Sequence, residues 1–114
     1  MMANNKEKEM SVESFEANVK NWATDRNIIG GTEPRDQMLK LIEEMGELST
    51  GLQKSNDFYI ADAIGDCAVV LCIIAAQRGL SFTACLESAW DEIKDRRGQV
   101  VNGVFVKEVS KSVE

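Results

Sequence analysis

Apolar residues recur at helical spacing along most of the chain, and the interruptions divide it into four helices. Ser11 opens a run in which Val12, Phe15, Val19 and Trp22 form one stripe, so the spacing predicts a helix with Ser11 as N-cap, reaching about Arg26. Gly30-Gly31-Thr32 then breaks the chain. Thr32 is the expected cap of a second helix, with Pro34 in its first turn, where a missing amide does no harm. Met38, Leu41, Ile42, Met45, Leu48 and Leu52 carry that stripe to about Lys54. Ser55-Asn56-Asp57 is a tight connection, and a third helix follows to Arg78, with Gly79 as its stop. Ser81 caps a fourth helix that ends at Arg97-Gly98. Val100-Val101-Asn102-Gly103-Val104-Phe105-Val106 places an Asn-Gly turn between two short apolar runs, the pattern of a small hairpin. The expected fold is therefore all-α, a four-helix bundle with a short C-terminal hairpin or extended tail. Residues 1–10 read as a flexible arm, 11–107 as one helical domain and 108–114 as a tail.

The third helix departs from an ordinary amphipathic pattern. Between Phe58 and Gln77 its charged residues are Asp62 and Asp66, four apart in an otherwise apolar run and so on one helical face. Upstream, Glu43, Glu44 and Glu47 share the same kind of spacing. Carboxylates in helices expected to be buried are costly unless paired or bound to a cation. The chain has no histidine, and few basic residues lie nearby to pair them. The pattern points to a carboxylate cage for Mg²⁺, with Mn²⁺ as the alternative, and the absence of histidine or clustered cysteine disfavours zinc. Because so few residues join helices two and three, the two must run antiparallel. Equal rise from the turn then brings Glu44 and Glu47 to the level of Asp62 and Asp66. Gly46 and Gly65, each inside a helix, suggest that the two backbones approach closely beside the ligands. The plainer alternative for Glu43, Glu44 and Glu47 is a solvated helix face, but that does not explain isolated aspartates in so apolar a helix.

Size and charge narrow the function. A chain of 114 residues with 44% hydrophobic content can build one core. A net charge of −6 argues against nucleic acid or an anionic membrane as partner, and means that a polyphosphate needs metal ions to bridge like charges. Cys67, Cys72 and Cys85 form no CxxC pair and lie in apolar helical stretches, so buried reduced thiols and a cytoplasmic setting are expected. The polar N-terminus lacks a signal-peptide core, and the uncharged run from Cys67 to Ala76 is short of the ~20 residues that span a bilayer. The third helix is apolar on nearly every side, with Ile60, Ile64, Cys67 and Leu71 on one face and Val69, Val70 and Ile73 on others. One four-helix monomer cannot readily bury all of these, which implies self-association.

Glu44-Met45-Gly46-Glu47 followed by Asp62-Ala63-Ile64-Gly65-Asp66 resembles the ExxE…ExxD signature of the all-α NTP pyrophosphohydrolases, in the MazG-like branch. Trp22 to Arg26, Glu33-Pro34, Leu39 to Glu44, and Ile93 to Lys107 with its Arg-Gly…Asn-Gly-x-Phe-Val-Lys tail look like the same family, so the resemblance covers roughly residues 15–107. It departs at one position: Ala63 stands where the family has glutamate, with Asp62 one residue earlier. Short single-domain forms with this variant look similar to phage-encoded members. The resemblance implies Mg²⁺-dependent hydrolysis of a nucleoside triphosphate to the monophosphate and pyrophosphate. It implies Glu44, Glu47, Asp62 and Asp66 as metal ligands, with Glu43 as the alternative fourth ligand, and Glu43 or Glu47 as the group that activates water. Lys54, Lys94, Arg96 and Arg97 are candidates for the phosphate tail, and Trp22, ahead of Trp90, for stacking on the base. It further implies a homodimer or homotetramer. The alternatives are a phosphoribosyl-ATP pyrophosphohydrolase-like enzyme, and a catalytically degenerate helical binding or regulatory module, which Ala63 keeps open.

Overall fold

The computed structural model describes residues 9–109, which are mostly helical with one two-stranded sheet. They divide into two compact units between Thr83 and Ala84. The first holds α1 (Val12–Asp25), α2 (Ile28–Gly31), α3 (Pro34–Gln53), α4 (Asp57–Gln77) and the opening of α5 (Phe82–Ile93). The second holds the rest of α5, then β1 (Gly98–Val101) and β2 (Val104–Lys107). The expected arm, residues 1–10, and tail, 108–114, lie almost wholly outside the described residues.

In the first unit, α1 begins where the sequence places it: the Ser11 hydroxyl accepts a hydrogen bond from the Ser14 amide at 3.1 Å. One face of α1 turns Val19 and Ala23 into a core with Cys72, Ile73, Ala75 and Phe82, bordered by Phe15, Ile28, Ile29 and Val69. The Phe15 and Phe82 rings meet at 6.1 Å. Burial first, and then the Glu16 carboxylate, push the Cys72 thiol above its ordinary range. The end of the α1 stripe is corrected, since Val12 and Trp22 are exposed.

Gly30-Gly31-Thr32 is not a plain break. Asn27 takes the left-handed conformation (φ 57°), which short polar side chains tolerate, and the chain restarts as the single turn α2. Thr32 does not cap α3, because its hydroxyl donates back to the Ile28 carbonyl at 2.7 Å and accepts from Gln77 at 2.9 Å. Glu33 is the cap residue, and its amide donates to the Asp36 carboxylate at 2.9 Å. Gln77 also donates to the Thr32 carbonyl at 3.0 Å, tying the end of α4 to the α2–α3 joint.

Ser55, at φ 52°, turns the chain between α3 and α4, and the Asn56 side chain caps α4 by accepting from the Phe58 and Tyr59 amides. The close approach of these helices is at Gly51, not at Gly46 or Gly65. A Cβ on Gly51 would lie 3.2 Å from the Ile60 amide nitrogen and from the Tyr59 Cβ, whereas one on Gly46 or Gly65 would meet nothing within 4 Å. Just past the end of α4, Gly79 takes the positive φ (72°) that suits glycine and stops the helix. By length and composition alone α4 is long and apolar enough to cross a membrane, a test that core helices also pass. The first turn of α5 is capped from a distance: the Glu16 carboxylate accepts from the Phe82 amide at 2.7 Å, and from the Thr83 amide and hydroxyl at 3.0 and 2.7 Å.

In the second unit α5 stops at Ile93, short of the expected Arg97, and a turn from the Arg96 amide to the Ile93 carbonyl leads toward the strands. The hairpin forms as the Asn-Gly pair predicts. Asn102 and Gly103 have φ of 52° and 82°, the type I′ signature, and Val101 pairs with Val104. Gly98 pairs with Lys107, and a Cβ there would collide with the Val106 carbonyl and the Phe105 ring. The three thiols are free, but Cys85 is exposed and Cys67 half-buried, so full burial is confined to Cys72.

Candidate functional site

The candidate carboxylates ride on α3 and α4, and the Gly51 contact fixes their heights. Four residues along each helix from that contact lie Glu47 and Ala63–Ile64; seven along lie Glu44 and Asp66–Cys67. Glu43, Glu47 and Asp62 line one pocket of about 420 Å³ together with Gly46, Thr50 and Tyr59. Glu44 and Asp66 do not line it.

Glu44 is the buried carboxylate of the described residues, 5% exposed. Its Oε2 is 3.3 Å from the Lys40 Nζ, and its Oε1 is buried without a hydrogen-bond partner. An unsatisfied buried acceptor costs about 1–3 kcal/mol, more when charged. Lys40 also donates to Glu43 at 3.0 Å, and these bonds, to Glu43 first and then Glu44, hold the ammonium above its ordinary pKa range. On the facing helix, burial and then the Glu44 and Asp66 carboxylates push the Cys67 thiol up, as a neighbouring negative charge must.

The expectation that both aspartates are buried in an apolar helix is corrected. Asp66 is half-buried, but Asp62 is exposed, because the position facing inward is Ala63, at 1%. Among the described residues, no three or more Asp, Glu or Cys side chains are gathered into a ready metal-binding cluster.

The other candidates are distributed more widely. Trp22 is 44% exposed, lies under the Arg26 guanidinium at 4.7 Å and is absent from the carboxylate pocket. Lys54 is the exposed C-cap of α3. In the second unit Lys94 pairs with Asp91 at 3.2 Å, and Arg96 lies 3.9 Å from Glu92. Arg96 and Arg97 line a pocket of about 650 Å³ with Phe105 and Lys107 at the base of the hairpin. Tyr59 and Thr50 went unnoticed in the sequence. Their positions carried a signal: Thr50 is one further step on the Glu43–Glu47 face, and Tyr59 precedes Asp62 by three.

No protein-family model matches the chain, and no solved structure matches it. Among curated proteins it is similar to an uncharacterized 18.2 kDa protein in the rep-hol intergenic region of Haemophilus phage HP1, at 47% identity over 60 residues. Those residues are 53% of this chain and 37% of the phage protein, whose name states no activity.

Proposed function

We propose that the chain is a MazG-like nucleoside triphosphate pyrophosphohydrolase, with its long helices forming the four-helix bundle of that fold. The observation that carries this reading is Glu44, a buried carboxylate whose Oε1 has no partner, on the helix that also sends Glu43 and Glu47 into a pocket with Asp62. An all-oxygen donor set suits Mg²⁺ or Mn²⁺, which when bound supplies positive charge against the triphosphate oxygens. Glu44, Glu47, Asp66 and either Asp62 or Glu43 are the residues to hold it. A carboxylate not fully used in holding the ion, Glu43 or Glu47, would orient the attacking water and take its proton. Lys54, Lys94, Arg96 and Arg97 are the proposed phosphate contacts, with arginine's planar fork favouring the last two.

A second reading, a binding module without turnover, draws on Ala63, buried where the resembling family places a ligand. The discriminating experiment follows pyrophosphate release from each common NTP and dNTP with Mg²⁺, and metal binding by calorimetry. Glu44→Ala, Glu47→Ala and Asp66→Ala should each abolish release while leaving the helical circular dichroism intact. Near-wild-type turnover in Asp66→Ala rules out the proposed ligand set. Metal binding and release both absent from the wild type favour the binding module.

A further inference from the structure

The pocket between α3 and α4 is chemically graded along its length. Glu43 and Thr50, which both line it, are two helical turns apart on α3, about 10 Å at the usual rise. Glu43, Glu47 and Asp62 make one part of the wall anionic. The part nearer the α3–α4 connection is formed by Thr50 and the aromatic ring of Tyr59. Between them the wall is a bare backbone, because a side chain at Gly46 would project into open space.

Tyr59 is placed firmly but leaves its polar end unused. Its backbone amide is held by the Asn56 cap at 3.2 Å, and its Cβ lies at the Gly51 contact. The half-exposed ring touches Phe58 at 6.2 Å between centroids, and the phenol has no hydrogen-bond partner among the described residues. Thr50 differs, since its hydroxyl is already committed to the Gly46 carbonyl at 3.2 Å. A fixed aromatic face beside an open glycine floor suits a flat ring. The carboxylates farther along suit the cation-bound polyphosphate to which that ring is attached.

We infer that Tyr59 is the base-stacking residue of this site, with Gly46 keeping room for the nucleobase; the inference rests on the nucleotide reading above. It moves the aromatic contact from Trp22, which lies under Arg26 and outside the carboxylate pocket, to a residue inside that pocket. Stacking reads the π-face that every base has, so this contact favours nucleotides over bare polyphosphate without selecting one base.

The test measures binding by calorimetry in MgCl₂, using α,β-methylene analogues of the nucleoside triphosphates and, in parallel, inorganic tripolyphosphate. Pyrophosphate release is followed separately. Tyr59→Ala keeps the Cβ that packs at Gly51 and should weaken nucleotide binding roughly tenfold or more, leaving tripolyphosphate unchanged. Tyr59→Phe should bind like wild type, and Gly46→Leu should block nucleotides while melting no lower than wild type. If Tyr59→Ala binds nucleotides normally and still releases pyrophosphate, the stacking role is overturned and the hydrolase reading stands. Equal loss of nucleotide and tripolyphosphate overturns it too, because Tyr59 would then act on the phosphate end. If the wild type binds nucleotides through Tyr59 yet releases no pyrophosphate, the stacking site stands and the hydrolase reading falls. A wild type that binds no nucleotide removes both.

Discussion

A glutamate at position 63 would have to place its carboxylate where Ala63 is now 1% exposed, at the level of Glu47. Without a cation that charge would be buried beside other carboxylates, a cost of several kcal/mol. Ala63→Glu should therefore melt well below wild type in chelator and regain stability in Mg²⁺ or Mn²⁺. Melting equal to wild type in chelator would show that position 63 opens to water and cannot contribute a caged ligand. Glu16 makes the opposite kind of prediction. Its hydrogen bonds to Thr83, side chain and then backbone, hold the carboxyl below the ordinary glutamate range, with the Phe82 amide and Lys20 adding to the effect. The unfolded chain thus takes up a proton before the folded one does. The resulting stability is complete above the unfolded glutamate range, near pH 4–5, and is lost as pH falls through the lower folded value. Chemical denaturation at stepped pH should show this acid loss in wild type and a flatter profile in Glu16→Gln.

At the scale of elements, the glycines of α3 and α4 separate into two kinds. Gly65→Ala should stabilise the chain by up to about 1 kcal/mol, since its Cβ meets nothing and a flexible helical residue is removed. Gly51→Ala should cost about 1–3 kcal/mol, because the new Cβ presses on the Ile60 backbone at 3.2 Å. Thermal melts of the two variants against wild type read both signs at once, and stabilisation in both would deny the close contact. Sequence alone named Gly46 and Gly65 for the close approach and passed over Gly51, since spacing cannot say which face of a helix a neighbour occupies. It located the Ser11 cap, the Gly79 stop and the Asn102-Gly103 turn because each depends on residues within one turn of itself. It missed α2, put the cap of α3 at Thr32 instead of Glu33 and carried α5 past Ile93 to Arg97, and at the α3 cap the outcome depends on a distant group. Thr32 is drawn away from capping by Gln77 on another helix. The site divided in the same way: helical spacing sets Glu44 and Glu47 level with Asp62 and Asp66, whereas the pocket gathers Glu43, Glu47 and Asp62 with the ring of Tyr59.

For the whole molecule, the balance of apolar surface is the dominant fact. Among the described residues few large side chains are buried, while Leu39, Ile42 and Met45 on α3 and Phe58 and Ile64 on α4 are each more than half exposed. Apolar surface on this scale marks an interface, and a second copy of the chain is the proposed cover. Light scattering at micromolar concentration should give at least twice the 12.6 kDa chain mass, and a stable, fully active monomer would refute the assembly. The Glu16 clasp carries a different consequence, for the order in which the chain folds. The acceptor and the Thr83 amide it satisfies are 67 residues apart, so the cap does not exist until the intervening chain has closed a long loop. An isolated α5 segment lacks the Glu16 acceptor, and a helix of twelve residues is marginal on its own. The clasp is thus a late event that reports the docking of α1. A chain that has lost α1 forfeits the Glu16 acceptor at the start of α5 along with its own first helix.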